Sequence, residues 1–187
     1  VTSFAAVEKF DATVESLFDH VRGVPIIDRI FYTASELGDW SLLWHLAGAG
    51  QGVFLRDGLA RTVRLSACMG LESGFVNGAV KALFRRARPI VETERPHRLR
   101  QPRTSSFPSG HASAAFAAAA LLSDGRRGKP LYYGVAGVVA MSRVHVRIHH
   151  ASDVVGGVAV GIALGALAKK AWPLGHAPFG LQELLDR

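Results

Sequence analysis

Three short stretches of this 187-residue chain hold residue types that can manage an anion. The first is KALFRRARP, residues 81–89, where an apolar segment closes on Lys81, Arg85, Arg86 and Arg88 before Pro89. So much fixed positive charge at one helix end raises the question of what anion, if any, it meets. The second is SSFPSGHASAAF, residues 105–116. Pro108 suits a helix start, and the turn after it offers free N–H groups and the positive end of a dipole. Gly110 lets an anion come close to the backbone, and Ser109 and His111 lie in the same turn. The third is SRVHVRIHHASD, residues 142–153. His149 and Asp153 are four apart, so on a helix they share a face. A carboxylate placed there accepts the proton of one imidazole nitrogen and leaves the other lone pair free to attack. Arg143, six residues earlier, has an arm long enough to return to the same side.

Each stretch also has a plainer reading. Pro-Ser-Gly-His could be an ordinary helix start with a surface histidine. His145 and His149 are also four apart and could ligate zinc with Asp153, although no HExxH or cysteine set accompanies them. HVRIHH could be no more than a basic helix end.

The elements that must position these residues read as all helix, with no useful strand-like alternation. Residues 4–21 form an amphipathic pattern, with Phe4, Val7, Phe10, Val14, Leu17, Phe18 and Val21 at helical spacing and Glu8, Asp11, Glu15 and Asp19 elsewhere. A shorter amphipathic piece covers residues 26–37. Five strongly apolar segments follow, at residues 40–55, 65–84, 109–122, 131–146 and 154–172. They are short beside the ~20 residues a spanning helix needs, but they are apolar on all faces. The last, GGVAVGIALGALA, spaces Gly157, Gly161 and Gly165 by four, which lets helices approach closely in a bilayer. The expectation is therefore an all-α bundle, membrane-embedded, with about five spanning helices and N-terminal amphipathic helices at the interface. It forms a single domain: amphipathic helices at 1–38, a catalytic bundle at 39–172 and a tail at 173–187.

Net charge is +7 and pI about 10.2, which suits nucleic acid, an anionic membrane or a phosphorylated substrate. Nucleic-acid binding would want aromatics among the basic residues, and the Arg-rich 85–107 stretch has only Phe107 nearby. Cys68 is the single cysteine, so no intrachain disulfide forms, and its apolar run suits an inert thiol. The N-terminus, VTSFAAVEKFDATVE, does not read as a signal peptide. Both ends of the bundle are basic, so the positive-inside rule does not orient it.

Taken together, Lys-x6-Arg-Pro, Pro-Ser-Gly-His and Ser-Arg-x5-His-x3-Asp resemble the three-part signature of the type 2 phosphatidic acid phosphatase superfamily. The match is Lys81, Arg88 and Pro89; Pro108, Ser109, Gly110 and His111; and Ser142, Arg143, His149 and Asp153, with no departure. The resemblance implies phosphomonoester or diphosphate hydrolysis without metal or other cofactor. Lys81, Arg88, Arg143, Ser109 and Gly110 would cradle phosphate. His149 would be the nucleophile, Asp153 its orienting carboxylate and His111 the general acid, then base. Arg85 and Arg86 lie outside the signature and are expected to face headgroups or solvent. His145 and His150 are expected to be bystanders or substrate contacts. Arg95, His97, Arg98, Arg100 and Arg103 lie in a connection that could cover the site, meet anionic headgroups or be a solvated basic loop with no substrate role. Among the family's branches, small bacterial membrane phosphatases of polyprenyl or phosphatidyl lipids fit best. That implies a lipid phosphate substrate, a bilayer and a bacterial cell membrane; a soluble or peripheral acid phosphatase is the alternative.

Overall fold

Helix-forming runs broken at glycine, proline and charge give seven α-helices in the computed structural model, which describes residues 2–55, 57–90, 99 and 104–175. They are α1 (Thr2–Asp19), α2 (Pro25–Leu37), α3 (Leu42–Phe54), α4 (Gly58–Gly74), α5 (Gly110–Leu122), α6 (Lys129–His145) and α7 (Ala151–Ala171). No strand occurs among the described residues. Pro25 and Pro130 stand in the first turns of α2 and α6, where a missing N–H costs nothing. Beyond Gly74 the helical path of α4 continues through a π turn, Phe75–Val80, and a 3-10 turn, Lys81–Leu83. Phe84 then takes an extended conformation, and the chain enters the Arg-Pro segment.

Helix α5 is the axis of the bundle. Ten of its thirteen residues, mostly alanine, are buried, and α4, α6 and α7 pack around it. Its all-round apolarity is thus explained by enclosure within protein. The α5–α7 contact depends on the glycine ladder. A Cβ on Gly157 would sit 2.4 Å from Ser109 O, and one on Gly161 2.3 Å from Ser113 O. On Gly165 it would lie 2.7 Å from Ala120 Cβ. The spacing of four brings the two backbones together along three successive turns.

The expected spanning segments correspond to α3 to α7, but among the described helices only α7 is long and apolar enough on its own to cross a bilayer. At ~1.5 Å per residue the 13-residue α3 and α5 reach roughly 20 Å, short of a ~30 Å hydrocarbon core. The two N-terminal helices are also more than interfacial anchors. Helix α1 lies against α6 and α7, and α2 against α6. Phe4, Phe10 and Leu17 are exposed, whereas Asp11 is buried, so part of α1's polar stripe faces the protein. The Arg95, His97, Arg98, Arg100 and Arg103 loop lies outside the described residues.

Candidate active site

Backbone hydrogen bonds tie the three stretches together at one end of the bundle. Ser106 N donates to Arg86 O, and Ser109 N donates to Asp153 O, both at 2.9 Å. In the third stretch the N–H groups of Ile148 and His149 both donate to Arg143 O at 3.1 Å. Arg147, at φ 53°, turns the chain out of α6 so that His149 points back toward the other two segments.

His149 therefore lies in the connection before α7, not on a helix face shared with Asp153 as the four-residue spacing predicts. Asp153 is the third residue of α7, and its Oδ2 accepts from His150 N at 2.9 Å. The pair still meets, with Nδ1 of His149 3.6 Å from Asp153 Oδ2. Ser106 sits beside both: its hydroxyl donates to Asp153 Oδ2 at 2.5 Å and lies 3.4 Å from His149 Nδ1. On the other side of the ring, Nη1 of Arg88 is 3.1 Å from His149 Nε2. A guanidinium can only donate, so Nε2 must accept and the ring proton must reside on Nδ1, toward Asp153. Burial, with Arg143 and Arg88 nearby, pushes the His149 pKa down to about 3 despite the Asp153 carboxylate, so the ring is neutral at pH 7.

The cations converge on the same place. Arg88 also donates to the carbonyls of Ile148, Thr104 and Ser105, which fix its fork. Arg143 is buried and donates to Ser35 Oγ of α2. Lys81 is buried too; burial first, then Arg88 and Arg143, lowers its pKa to about 8. Lys81, Gly110, His111 and His149 line one cavity of about 490 Å³ with Glu72 and Asn77. A Cβ on Gly110 would lie 3.1 Å from Asn77 Oδ1 and 3.6 Å from Lys81 Nζ, so the glycine keeps this corner open. Ser109 is the N-cap of α5 and accepts from Ala112 N at 3.5 Å. His111 Nε2 lies 3.0 Å from Asp39 Oδ1, on the turn between α2 and α3.

Other histidines stand apart. His145 faces Asp28 at 2.8 Å and stacks among Phe18, Phe31 and Tyr32, so it does not join His149 and Asp153 in a metal site. His150 is the N-cap of α7. Among the described residues no three His, Cys, Asp or Glu side chains are placed to hold a metal ion. Arg85 is exposed, as expected, but Arg86 is not a headgroup residue: its guanidinium donates to Asp153 and Asp11. Sequence reasoning missed Ser106, Asp39 and Asp11 as partners of these groups. Only Ser106, two residues before Pro108, carried a hint by position.

A family model described as the PAP2 superfamily matches residues 61–174. The chain belongs to the PAP2 superfamily. All three stretches fall inside the matched region. Over 93 residues the chain is 39% identical to a decaprenylphosphoryl-5-phosphoribose phosphatase of Mycobacterium tuberculosis, covering 47% of this chain and 49% of that protein. Over 105 residues it is 41% identical to a lipid A 1-phosphatase of Porphyromonas gingivalis, covering 53% of this chain and 21% of that protein. The matches thus span about half, and about a fifth, of these curated PAP2 relatives. Two solved structures share the fold at 26% identity. One is a transmembrane PAP2-type phosphatidylglycerolphosphate phosphatase from Bacillus subtilis, with TM-score 0.64 over 89% of this chain and 86% of that one. The other is Aquifex aeolicus LpxE, with TM-score 0.69 over 85% and 94%.

Proposed function

We propose that this PAP2 protein is a membrane lipid phosphatase, hydrolysing a phosphomonoester or diphosphate on a membrane lipid without a metal ion. The observation that carries the reading is His149. Its ring is neutral, its Nε2 lone pair faces Arg88, and its Nδ1 faces Asp153. Phosphate enters the cavity at its Lys81, Gly110, His111 and His149 wall, where Arg88 meets His149 Nε2, Arg143 lies close to Lys81 and His149, and Ser109 and the Gly110 N–H stand at the start of α5. Nε2 attacks phosphorus, a P–N bond forms and the P–O bond to the lipid breaks. Burial first, then Arg143, holds the His111 pKa down to about 4 against the pull of Asp39, so His111 gives a proton to the departing oxygen only after the incoming phosphate dianion has favoured its protonated form. His111 then takes a proton from water, which attacks phosphorus and breaks the P–N bond. The charge spread over the phosphoryl oxygens is met by three side-chain cations already in place, a role metals fill in other phosphoryl-transfer sites.

The lipid part rests on the relatives and on the surface. The named relatives act on polyprenyl-linked, lipid A and phosphatidyl phosphates. Leu46, Val53 and Phe54 of α3, Leu59 and Leu71 of α4, and Val155, Ile162 and Leu167 of α7 are large, apolar and exposed. A bacterial cell membrane agrees with this.

The test is a panel of polyprenyl, phosphatidyl and lipid A phosphates given to detergent-solubilised protein, with phosphate release measured in EDTA and with vanadate. Vanadate takes five ligands and mimics the transition state, so it should inhibit more tightly than phosphate. Rapid quenching should trap an acid-labile phosphoryl label that His149→Ala abolishes. Activity lost in EDTA and restored by Mg²⁺ or Zn²⁺ would overturn the metal-free mechanism. Turnover without any trapped label in a burst would remove the phosphohistidine.

A further inference from the structure

Asp153 is held from behind by a chain of groups that ends on the first helix. Its Oδ2 accepts from Ser106 and His150 N, and its Oδ1 accepts from Arg86 Nη1 at 2.6 Å. The same Nη1 donates to Ser152 Oγ at 2.7 Å, and Nη2 donates to Asp11 Oδ2 at 2.5 Å. Asp11 belongs to α1, more than sixty residues from any signature residue, and is 8% exposed. Its carboxylate also closes the start of α7: Oδ1 accepts from Ser152 N at 2.7 Å and Oδ2 from Ser152 Oγ at 2.8 Å. One carboxylate of α1 therefore both anchors the first turn of α7 and aims a guanidinium at the carboxylate that faces the nucleophile.

The neighbouring contacts point the same way. Asp11, Glu15 and Asp19 are spaced by four and form one stripe of α1. Glu15 and Asp19 pair with Arg147 at 2.8 and 2.5 Å, at the turn that leads to His149. Arg22, just beyond α1, donates to the Val144 and His145 carbonyls at the end of α6, both at 2.8 Å. The stripe thus grips the third stretch on both sides of His149. Arg86 does not line the cavity that holds Lys81, His111 and His149, and its guanidinium is engaged by Asp11, Ser152 and Asp153.

We propose that Arg86 and Asp11 are positioning residues for phosphoryl transfer, acting through Asp153, and that α1 completes the active site. The proposal rests on the phosphatase reading above. The 3.6 Å separation of His149 Nδ1 and Asp153 Oδ2 leaves that contact sensitive to a small swing of the carboxylate. Arg86 limits the swing on one side, and Ser106 and His150 N limit it on the other. A partner that orients a reacting group at one remove is worth about 10–100-fold in rate, and that is the range expected here.

The experiment compares Arg86→Gln, Arg86→Lys and Asp11→Asn with wild type, alone and in an Asp153→Asn background. Arg86→Gln should lower kcat and kcat/KM together by about 10–100-fold with KM nearly unchanged, as expected for loss of transition-state alignment. Arg86→Lys should recover part of the loss, and Asp11→Asn should lose less than Arg86→Gln. In the Asp153→Asn background Arg86→Gln should add almost nothing, because its target is already gone. A rise in KM alone, or full additivity with Asp153→Asn, overturns the proposal. A readout independent of turnover is the ¹⁵N spectrum of the His149 ring, assigned with His149→Asn. Wild type should show the proton fixed on Nδ1, and Arg86→Gln and Asp11→Asn should lose that preference. An unchanged ring spectrum in both variants refutes positioning. If wild type hydrolyses no phosphate ester yet the ring spectra shift as expected, the phosphatase reading fails and positioning stands.

Discussion

Gly157→Ala should damage catalysis more than it damages the fold. The added Cβ would lie 2.4 Å from Ser109 O and 3.0 Å from Ala112 Cβ, both on or beside the first turn of α5. A carbon against a carbonyl oxygen normally keeps ~3.3 Å, so α7 and α5 must part by about 0.9 Å there. That is where Ser109 N donates to Asp153 O and where Gly110 and His111 enter the cavity. A misplacement of ~1 Å costs on the order of 10²-fold in rate, while overpacking by one methyl costs about 1–3 kcal/mol of stability. Gly165→Ala is the control. Its Cβ would meet Ala120 Cβ at 2.7 Å, two turns further along the same interface and away from the site. It should destabilise comparably and leave kcat within a few fold. The assay is kcat on a soluble phosphomonoester, with the melting temperature of the same detergent-purified samples. If Gly165→Ala lowers kcat as much as Gly157→Ala at matched stability, the glycine ladder serves packing alone, and the argument from site displacement is wrong.

Lys81 should set an alkaline limit. Its pKa is lowered to about 8 by burial, Arg88 and Arg143, so its charge is present below that pH and kcat/KM should fall as pH rises through it. Lys81→Arg should move the limb upward, and a profile flat to pH 9.5 in wild type would exclude Lys81 from the essential charge. Asp153→Asn should lower kcat by as much as ~10⁴, the loss seen when an orienting carboxylate is removed from a comparable triad. His145→Ala, at the Asp28 pair, should act on the melting temperature and leave kcat near wild type; the reverse outcome would make His145 the reacting imidazole. Alkaline carbonate and high salt should leave the protein in the membrane fraction, and its release into the wash would favour a peripheral acid phosphatase.

Much of the candidate site's geometry was legible because the chemistry proposed for it needs few residue types at fixed short spacings. Lys81, Gly110, His111 and His149 do line one cavity, with Arg88 and Asp153 against the His149 ring. The helical class followed from period and composition, and the glycine spacing from the need for close backbone approach. What failed were inferences that depended on where a helix begins. His149 and Asp153 were placed on one helix face because four is a helical interval, but α7 starts between them. The partners of the site were hidden for a different reason. Asp11, Asp39 and Ser35 reach it from elements far away in sequence, and no local pattern marks them.

An amphipathic helix at a membrane interface ordinarily turns its apolar face to the membrane and its charged face to water. With that orientation Arg86 would keep Asp153 but lose Asp11, and Arg147 would lose Glu15 and Asp19. The structure resolves the imbalance by turning Asp11, Glu15 and Asp19 onto those arginines, and Phe4, Phe10 and Leu17 outward. The same division leaves Lys81 at the cavity wall, Arg88 against the His149 ring and Arg143 close to both Lys81 and His149. Asp153 is the nearest signature carboxylate, and its oxygens are already taken by Arg86, Ser106 and the His150 N–H. The neutralising charges are spent on the arginines that build the site. The pKa of Lys81, at the cavity wall, is held down first by burial and then by repulsion from Arg88 and Arg143, against the opposing pull of Glu72 and Asp153. An incoming phosphate dianion relieves that repulsion, and the further charge developing on its oxygens in transfer relieves more of it. On the proposed mechanism the acidic face of α1 thus balances Arg86 and Arg147 and leaves Lys81, Arg88 and Arg143 for the phosphate.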